Sequence, residues 1–489
     1  MLQTARFKIL SKAFTATFLG IGIVAYFAIA LLLYLIFSKT VSYILFLLPV
    51  FLLVVYWFWT DYTKVFLVLC MFTPLAVGLK ELGLLESLDL SIPTEPLMAG
   101  LLLAHFFNSH SSLVPKAFNK HAVLWFIIVQ LLWMLLTSLT STMFIVSLKQ
   151  CISRLWFINA ALVLGLWIFQ NPKFIYQFVY FYTAGLIIVI TYTLITHAQF
   201  NFNDKAADWV VSPFYNDHTA YGAVLAMFIP VFFCLSLISN TSHLKRIAYI
   251  LVLVILLLAL VLSFARAGWL SIVVASVTAF LLWLKISFRA IAFTVLAAVL
   301  VFFMFQTEIL LLLGKNNTDA EGGFSNNVES VSNISTDASN RERINRWNCA
   351  IRMWHEKPFL GWGPGTYMFQ YAPFQRSDQL TIISTNFGDN GNAHSEYLGP
   401  LAEQGWPGLS IMAIGMLIII NMGFRIHYKL QHKDERLLSL GFFLGCITYI
   451  VHGFFNNFLD TDKLAFPFWA FVAVLMVYDY KASQSLPKP

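Results

Sequence analysis

Arg341, Arg343, Arg346, Arg352 and Arg376 crowd into one polar interval, about Gly314 to His394, of a chain otherwise compatible with hydrocarbon. Only 11% of the residues are charged, so five guanidinium groups set beside aromatics point to an anionic partner met at a membrane surface. A guanidinium presents a planar fork that matches phosphate oxygens two at a time, which an ammonium does not imitate. The interval runs on through GWGPGTY (Gly361 to Tyr367) to HSEYLGPLAEQGWPGL, which His394 opens. Histidine takes up a proton near neutral pH, as a base activating a hydroxyl must; the competing role is an interfacial or capping residue. Glu396 and Glu403 follow two and nine residues on, and His218 in SPFYNDHTAYG stands in a similar place before another apolar run. Arg266, in SFARAGWLS, sits between two apolar segments. It reads either as a snorkelling anchor or as a second phosphate fork.

The elements that position these groups are helical. RERINRWNCAIRMWHEKP reads as an amphipathic helix ended by Pro358, with Ile344, Trp347, Ile351 and Trp354 on an apolar stripe. Arg343 and Arg346 project together from a neighbouring face. Such a helix lies in the interface plane, or packs on the bundle with its arginines solvated. Gly361, Gly363 and Gly365 then permit a sharp return of the backbone. The run lacks the lysine and following serine or threonine of a P-loop, so it is weak evidence for phosphate binding.

Composition sets the class. Hydrophobic residues make up 59% of the 489 and the mean hydropathy is +0.74, whereas a soluble domain carries about a quarter charged residues. Fourteen apolar runs approach bilayer length: 14–37, 41–59, 63–80, 93–107, 122–140, 151–169, 174–196, 219–239, 247–264, 268–284, 290–313, 404–424, 437–455 and 464–480. The runs 93–107 and 268–284 are short enough to be re-entrant, so the expected fold is an all-α polytopic membrane protein with 12–14 transmembrane helices. The first run is too long for a signal-peptide core and no small-residue cleavage site follows it, so it is expected to be retained. With the N-terminus inside, 17 of the 31 basic residues but only 4 of the 24 acidic ones fall on the inner side. That bias orients the chain and puts the 314–393 loop, the 197–218 loop and Arg266 outside. The five cysteines show no CxxC or Cys/His spacing, which argues against a disulfide framework or a zinc site.

Four segments together resemble the O-antigen ligase and polymerase superfamily: SPFYNDHTAYGAVLAMFIP from Ser212, SFARAGWL from Ser263, ERINRWNCAIRMWHEKPFLGWGPGTY from Glu342, and HSEYLGPLAEQGWPGL from His394. The likeness covers roughly residues 200–425, and residues 1–200 contribute hydropathy alone. It divides the chain into N-terminal transmembrane helices (1–200), a catalytic region with the outside loop 314–393 (201–425) and C-terminal transmembrane helices (426–489). The resemblance implies a bundle like that of C-type glycosyltransferases, acting without metal, nucleotide or other cofactor on a glycan carried by a polyprenyl pyrophosphate. It implies that Arg266 is the arginine of a short outside loop, that Arg343 is a second arginine in the large loop, and that His394 is the essential loop histidine. Arg346 is then an auxiliary substrate contact and His218 a weaker one. The expected partners are the lipid-linked donor, a lipid, glycan or protein acceptor, and the membrane, with no nucleic acid. Ligase, repeat-unit polymerase and protein O-oligosaccharyltransferase differ only in acceptor. A transporter is the reading from another class, but few spans carry charge and no internal repeat is visible.

Overall fold

A helix that is apolar on every side can face either lipid or protein, so its packing partners decide whether it is central or peripheral. The computed structural model describes residues 26, 39–81, 90–108, 112–294, 338–381, 384 and 391–484. The chain divides into two compact units, Met1–Val65 and Phe66–Pro489. The first contains α1 (Lys39–Thr60), and α2 (Tyr62–Phe72) runs across the division. In the second, a two-residue antiparallel ladder pairs Val77 with Ile92 and Gly78 with Ser91. It is followed by α3 (Thr94–Asn108), α4 (Ala122–Leu139), α5 (Phe144–Ile168, with a π turn at Asn159–Val163), α6 (Pro172–Ala198), the short α7 (Ala207–Val210), α8 (His218–Ser236), α9 (His243–Leu262) and α10 (Arg266–Trp283). After the undescribed stretch come α11 (Ala338–Glu356), the one-turn α12 (Tyr367–Gln370), α13 (Leu398–Lys429), α14 (Lys433–His452) and α15 (Asp462–Gln484).

Nine of these, α4, α5, α6, α8, α9, α10, α13, α14 and α15, are long and apolar enough among the described residues to cross a membrane. The protein is thus an all-α polytopic membrane protein. The expected spans 14–37 and 290–313 lie almost wholly outside the described residues. The expected span 63–80 is corrected. Its helix, α2, has 11 residues, about 16 Å at helical rise, and the chain then turns at Pro74 into the Val77–Gly78 strand. At 15 residues α3 is also shorter than a full crossing.

Two helices form the centre. Nearly every residue of α8 and α15 is buried, whereas α9, the most apolar span, is largely uncovered, so packing partners and not hydropathy select the central helices. Aromatic rings join them to each other and to their neighbours: Phe228 of α8 meets Phe471 of α15 at 5.2 Å, Tyr182 of α6 stacks on Phe228 at 4.6 Å, and Phe442 of α14 meets Phe471 at 4.8 Å. Small residues let backbones approach. A Cβ on Gly445 would stand 2.6 Å from the Met227 carbonyl oxygen, and one on Gly441 2.9 Å from Val231 Cα. This is the packing available where lipid removes the hydrophobic drive between helices. By contrast α9 and α10 leave Ile247, Leu251, Val254, Val273, Val277 and Phe280 exposed, a surface suited to acyl chains.

The long helix α13 is two pieces. Gly405, at φ 70° and ψ −174°, interrupts it in a backbone region open essentially to glycine alone. A Cβ there would lie 2.2 Å from the Phe359 carbonyl oxygen. Residues before the break form a ledge under the polar loop, and those after it form the span.

Candidate active site

The SFARAGW turn is fixed by its own residues. Ser263 Oγ donates to the Leu260 carbonyl at 2.7 Å, and Trp269 Nε1 donates to the same carbonyl at 3.0 Å. Phe264 takes φ 52°, a left-handed bend that reverses the chain between α9 and α10. Ala265 is wholly buried, and a Cβ on Gly222 would meet its Cβ at 2.3 Å. Arg266 is therefore delivered at the first residue of α10, beside the first turn of α8. That turn is capped by Asp217, whose Oδ1 accepts from Ala220 N at 2.7 Å and Thr219 Oγ1 at 2.6 Å, a side-chain cap of the usual kind. His218 follows the cap, with Nδ1 paired to Asp208 Oδ1 at 2.5 Å.

The face that α11 buries differs from the expected one. Glu342, Asn345, Arg346, Cys349, Ala350 and Met353 are buried, so the inward stripe is polar at its start and apolar at its end. Ile351 is exposed, and Ile344, Trp347 and Trp354 are only partly covered. The reason is that α11 packs on α13 and on the Ala372–Gln379 loop, and polar partners there satisfy the buried groups. Arg346 Nε donates to Glu342 Oε1 at 2.8 Å, its guanidinium lies 4.9 Å from the centre of the Tyr371 ring, and Nη1 donates to the Asn392 carbonyl at 3.4 Å. A Cβ on Gly391 would stand 1.5 Å from that Nη1. Arg346 thus seats the chain that leads into His394. Arg343 and Trp347, four apart, share a different face, and Trp347 Nε1 donates to the His394 carbonyl at 3.4 Å.

His394 is held in a strained backbone, at φ 46°, which costs a residue with a Cβ roughly 1–2 kcal/mol. Strain of this sort persists where the surroundings over-determine it. Asn392 Oδ1 accepts from His394 N at 3.0 Å, Ser395 Oγ accepts from Tyr397 N and Leu398 N at 3.3 Å, and Glu396 N donates to the Gly453 carbonyl at 2.8 Å. The loop is thereby fastened to the end of α14. Burial pushes the His394 imidazole down to about 4, helped by the charges of Arg343 and Arg346, while Asp217 and a hydrogen bond to Asn456 act the other way. The ring is accordingly neutral at neutral pH.

Residues that the sequence reading passed over complete the cluster. His452, the last residue of α14, is buried, and Asn456 lies 3.1 Å from its Nε2. It sits against the Ala267 backbone and within electrostatic reach of Asp217, Arg343 and His218. His452 is the hub that ties the starts of α8 and α10 to α11 and the His394 loop. His218, Arg343 and His394, with Arg266 next to Ala267 in the chain, come to the same end of the bundle, and Arg346, paired with Glu342, stands one layer back. The readable signals were the polar HGFFNN end of an apolar run and the helix-capping Asp217.

The glycine turn does not cradle an anion. Gly361, Gly363 and Gly365 have φ of 67°, 109° and 72°, which gives the expected sharp return. Yet Gly361 N donates to the Lys357 carbonyl at 3.1 Å, Trp362 N to Ala402 at 3.1 Å and Gly363 N to Glu403 at 2.8 Å, while Tyr367 N donates to Glu403 Oε1 at 3.0 Å. A Cβ on Gly363 would stand 2.1 Å from Ser141 Oγ. These glycines let the loop lie flat on α13 and on the α4–α5 turn.

Residues 251–413, from mid-α9 to the early part of α13, match the family model described as O-antigen ligase. The matched stretch contains Arg266, Arg343, Arg346 and His394, and leaves His218 and His452 to either side. No curated protein matches the chain.

Proposed function

We propose that this member of the O-antigen ligase superfamily transfers a glycan from undecaprenyl pyrophosphate to an acceptor hydroxyl at the outer leaflet of the bacterial cytoplasmic membrane. The observation that carries the reading is the meeting of Arg266, Arg343 and a neutral His394 around His452 at one end of the bundle. Arg266 and Arg343 grip the pyrophosphate, and the positive ends of α8 and α10 point the same way, adding to the field that favours an anion. As the glycosidic bond breaks, its electron pair and growing charge go to the pyrophosphate, where the arginines stabilise it. The acceptor oxygen forms the new bond to the anomeric carbon and gives its proton to His394. A hydrogen bond from His394 to the pyrophosphate is the alternative role.

The low affinity of His394 for a proton fits this order of events. Two of the causes that hold it down are the charges of Arg343 and Arg346. Arg346 is already paired with Glu342, but a pyrophosphate bound at Arg343 offsets that charge and raises the proton affinity of the ring, making it a better base with the donor seated. The donor is already activated, so no nucleoside triphosphate enters. Lys173, Lys245, Arg246, Lys285, Arg289, Lys433 and Arg436 lie at the opposite ends of the spans, and that excess supports an outward-facing site.

The test is transfer by purified protein given a lipid-pyrophosphate-linked glycan. The expected result is a glycosylated acceptor with release of undecaprenyl pyrophosphate. No product with a lipid A core, a lipid-linked repeat unit or a serine/threonine peptide overturns the proposal. In a deletion strain, lost long chains with accumulated lipid-linked polymer identify a ligase, and single-repeat caps identify a polymerase.

A further inference from the structure

Arg154 lies inside the membrane-crossing helix α5 and is only 7% exposed. An ionisable residue at such depth is costly, and it marks function more often than fold. Its Nη2 donates to Asp460 Oδ1 at 2.6 Å, but Nε and Nη1 meet no hydrogen-bond partner among the described residues. Asp460, on the connection between α14 and α15, also takes Gln150 Nε2 at 2.6 Å and Asn457 Nδ2 at 3.3 Å. Asn457 Oδ1 is buried and likewise unmet among the described residues. The Asp460 side chain is 34% exposed, so the group opens to one side. The glycine turn roofs it, since a Cβ on Gly365 would lie 3.2 Å from Gln150 Cβ. Arg154 and Asp460 also act on Glu396, two residues beyond His394.

Idle donors and an idle acceptor side by side call for a ligand that both donates and accepts. A hydroxyl does so at a single atom. A phosphate is disfavoured by Asp460 with Glu396 and Glu403 behind it, and a cation by the central guanidinium. Resting on the transferase reading above, we propose that Arg154, Gln150, Asn457 and Asp460 form a carbohydrate subsite. It binds pyranose hydroxyls of a glycan whose reacting end lies at His394, and that glycan belongs to either the donor or the acceptor.

Gln150→Ala and Asn457→Ala test it in the full-length protein, through KM for each substrate and binding of undecaprenyl pyrophosphate that carries no sugar. Each variant should raise KM for one glycan substrate roughly five- to tenfold, the loss of about one hydrogen bond. Affinity for the bare lipid pyrophosphate should stay unchanged, which also reports an intact fold. A rise confined to the donor assigns the subsite to the donor glycan, and one confined to the acceptor assigns it there. Unchanged KM for both substrates, or equal weakening of bare pyrophosphate binding, overturns the subsite and leaves the transferase reading standing. If Gln150→Ala does not fold, Asn457→Ala, on a partly exposed loop position, decides alone. Unmutated protein that neither transfers glycan nor binds the lipid pyrophosphate sinks the transferase reading, and the subsite with it.

Discussion

Glu396 ties the polar loop to the bundle, and its chemistry makes the stability of that joint depend on pH. The side chain is 3% exposed, and its Oε1 accepts from Tyr449 Oη at 2.5 Å and from Leu459 N at 2.8 Å. Burial, with the nearby Asp460 charge, pushes the carboxyl up from 4.5 to about 7, against the opposing pull of Arg154, Tyr449 and Leu459. A carboxyl that binds its proton more tightly in the folded state stabilises fully below pH 4.5, and that contribution is lost as pH rises through about 7. At roughly 1.4 kcal/mol per pH unit, the rise corresponds to about 3 kcal/mol. Glu396→Gln keeps an Oε1 acceptor for both donors and removes the titration. The variant should melt with the parent protein near pH 5 and become the more stable of the two by pH 8, by up to about 3 kcal/mol. Thermal unfolding of detergent-purified protein across that range measures the difference. A gap that does not widen with pH, or a variant less stable at pH 8, refutes the assignment of a buried, proton-holding carboxyl.

Lysine should rescue poorly at Arg266 and Arg343, because it keeps the charge and loses the fork. Transfer should fall about 10- to 100-fold in each purified variant with the fold intact, and near-normal activity in Arg343→Lys would make that residue an interfacial anchor. His394→Ala should lower turnover about 10²–10⁴-fold with donor affinity little changed, whereas a matching drop in donor affinity assigns His394 to the pyrophosphate. Gly363→Ala forces a side chain onto φ 109° and against Ser141 Oγ, so it should cost about 1–3 kcal/mol by thermal unfolding. Gly399→Ala, whose Cβ would meet nothing nearer than 3.9 Å, is the control that should change little.

Hydropathy alone exposed all nine long spans among the described residues, since lipid imposes one length and one composition on any helix that crosses it. It erred where a turn residue cuts an apolar run short, as Pro74 does. It also began the span of α5 at 151, because Lys149 and Gln150 dilute the pattern just before it. Periodicity recognised α11 but chose the wrong face, because a stripe containing Glu342, Asn345 and Arg346 is buried only by virtue of partners such as Thr381 and Gln375. Those partners come from a loop some 30 to 40 residues on, which no local window sees. Arg266, Arg343 and His394 were legible as unusual residue types in unusual places. His452, Asn456 and Asp217 were harder to see, since each looks like an ordinary helix-end residue until the fold folds three ends together. Arg154, a cation within the 151–169 run, was passed over in the sequence, and its partner Asp460 lies 306 residues away.

The break at Gly405 frees main-chain groups that an uninterrupted helix would have used internally, and the polar loop is docked with them. Trp406 N donates to the Pro358 carbonyl at 3.0 Å, the carbonyls of Ala402 and Glu403 receive Trp362 N and Gly363 N, and Trp133 Nε1 reaches the Gln404 carbonyl at 3.0 Å. Such a seam is almost blind to the letters of the sequence: it demands glycine where atoms crowd and tolerates many residues elsewhere. The polar loop can therefore change in sequence between these points of attachment without being refitted to the bundle that carries it.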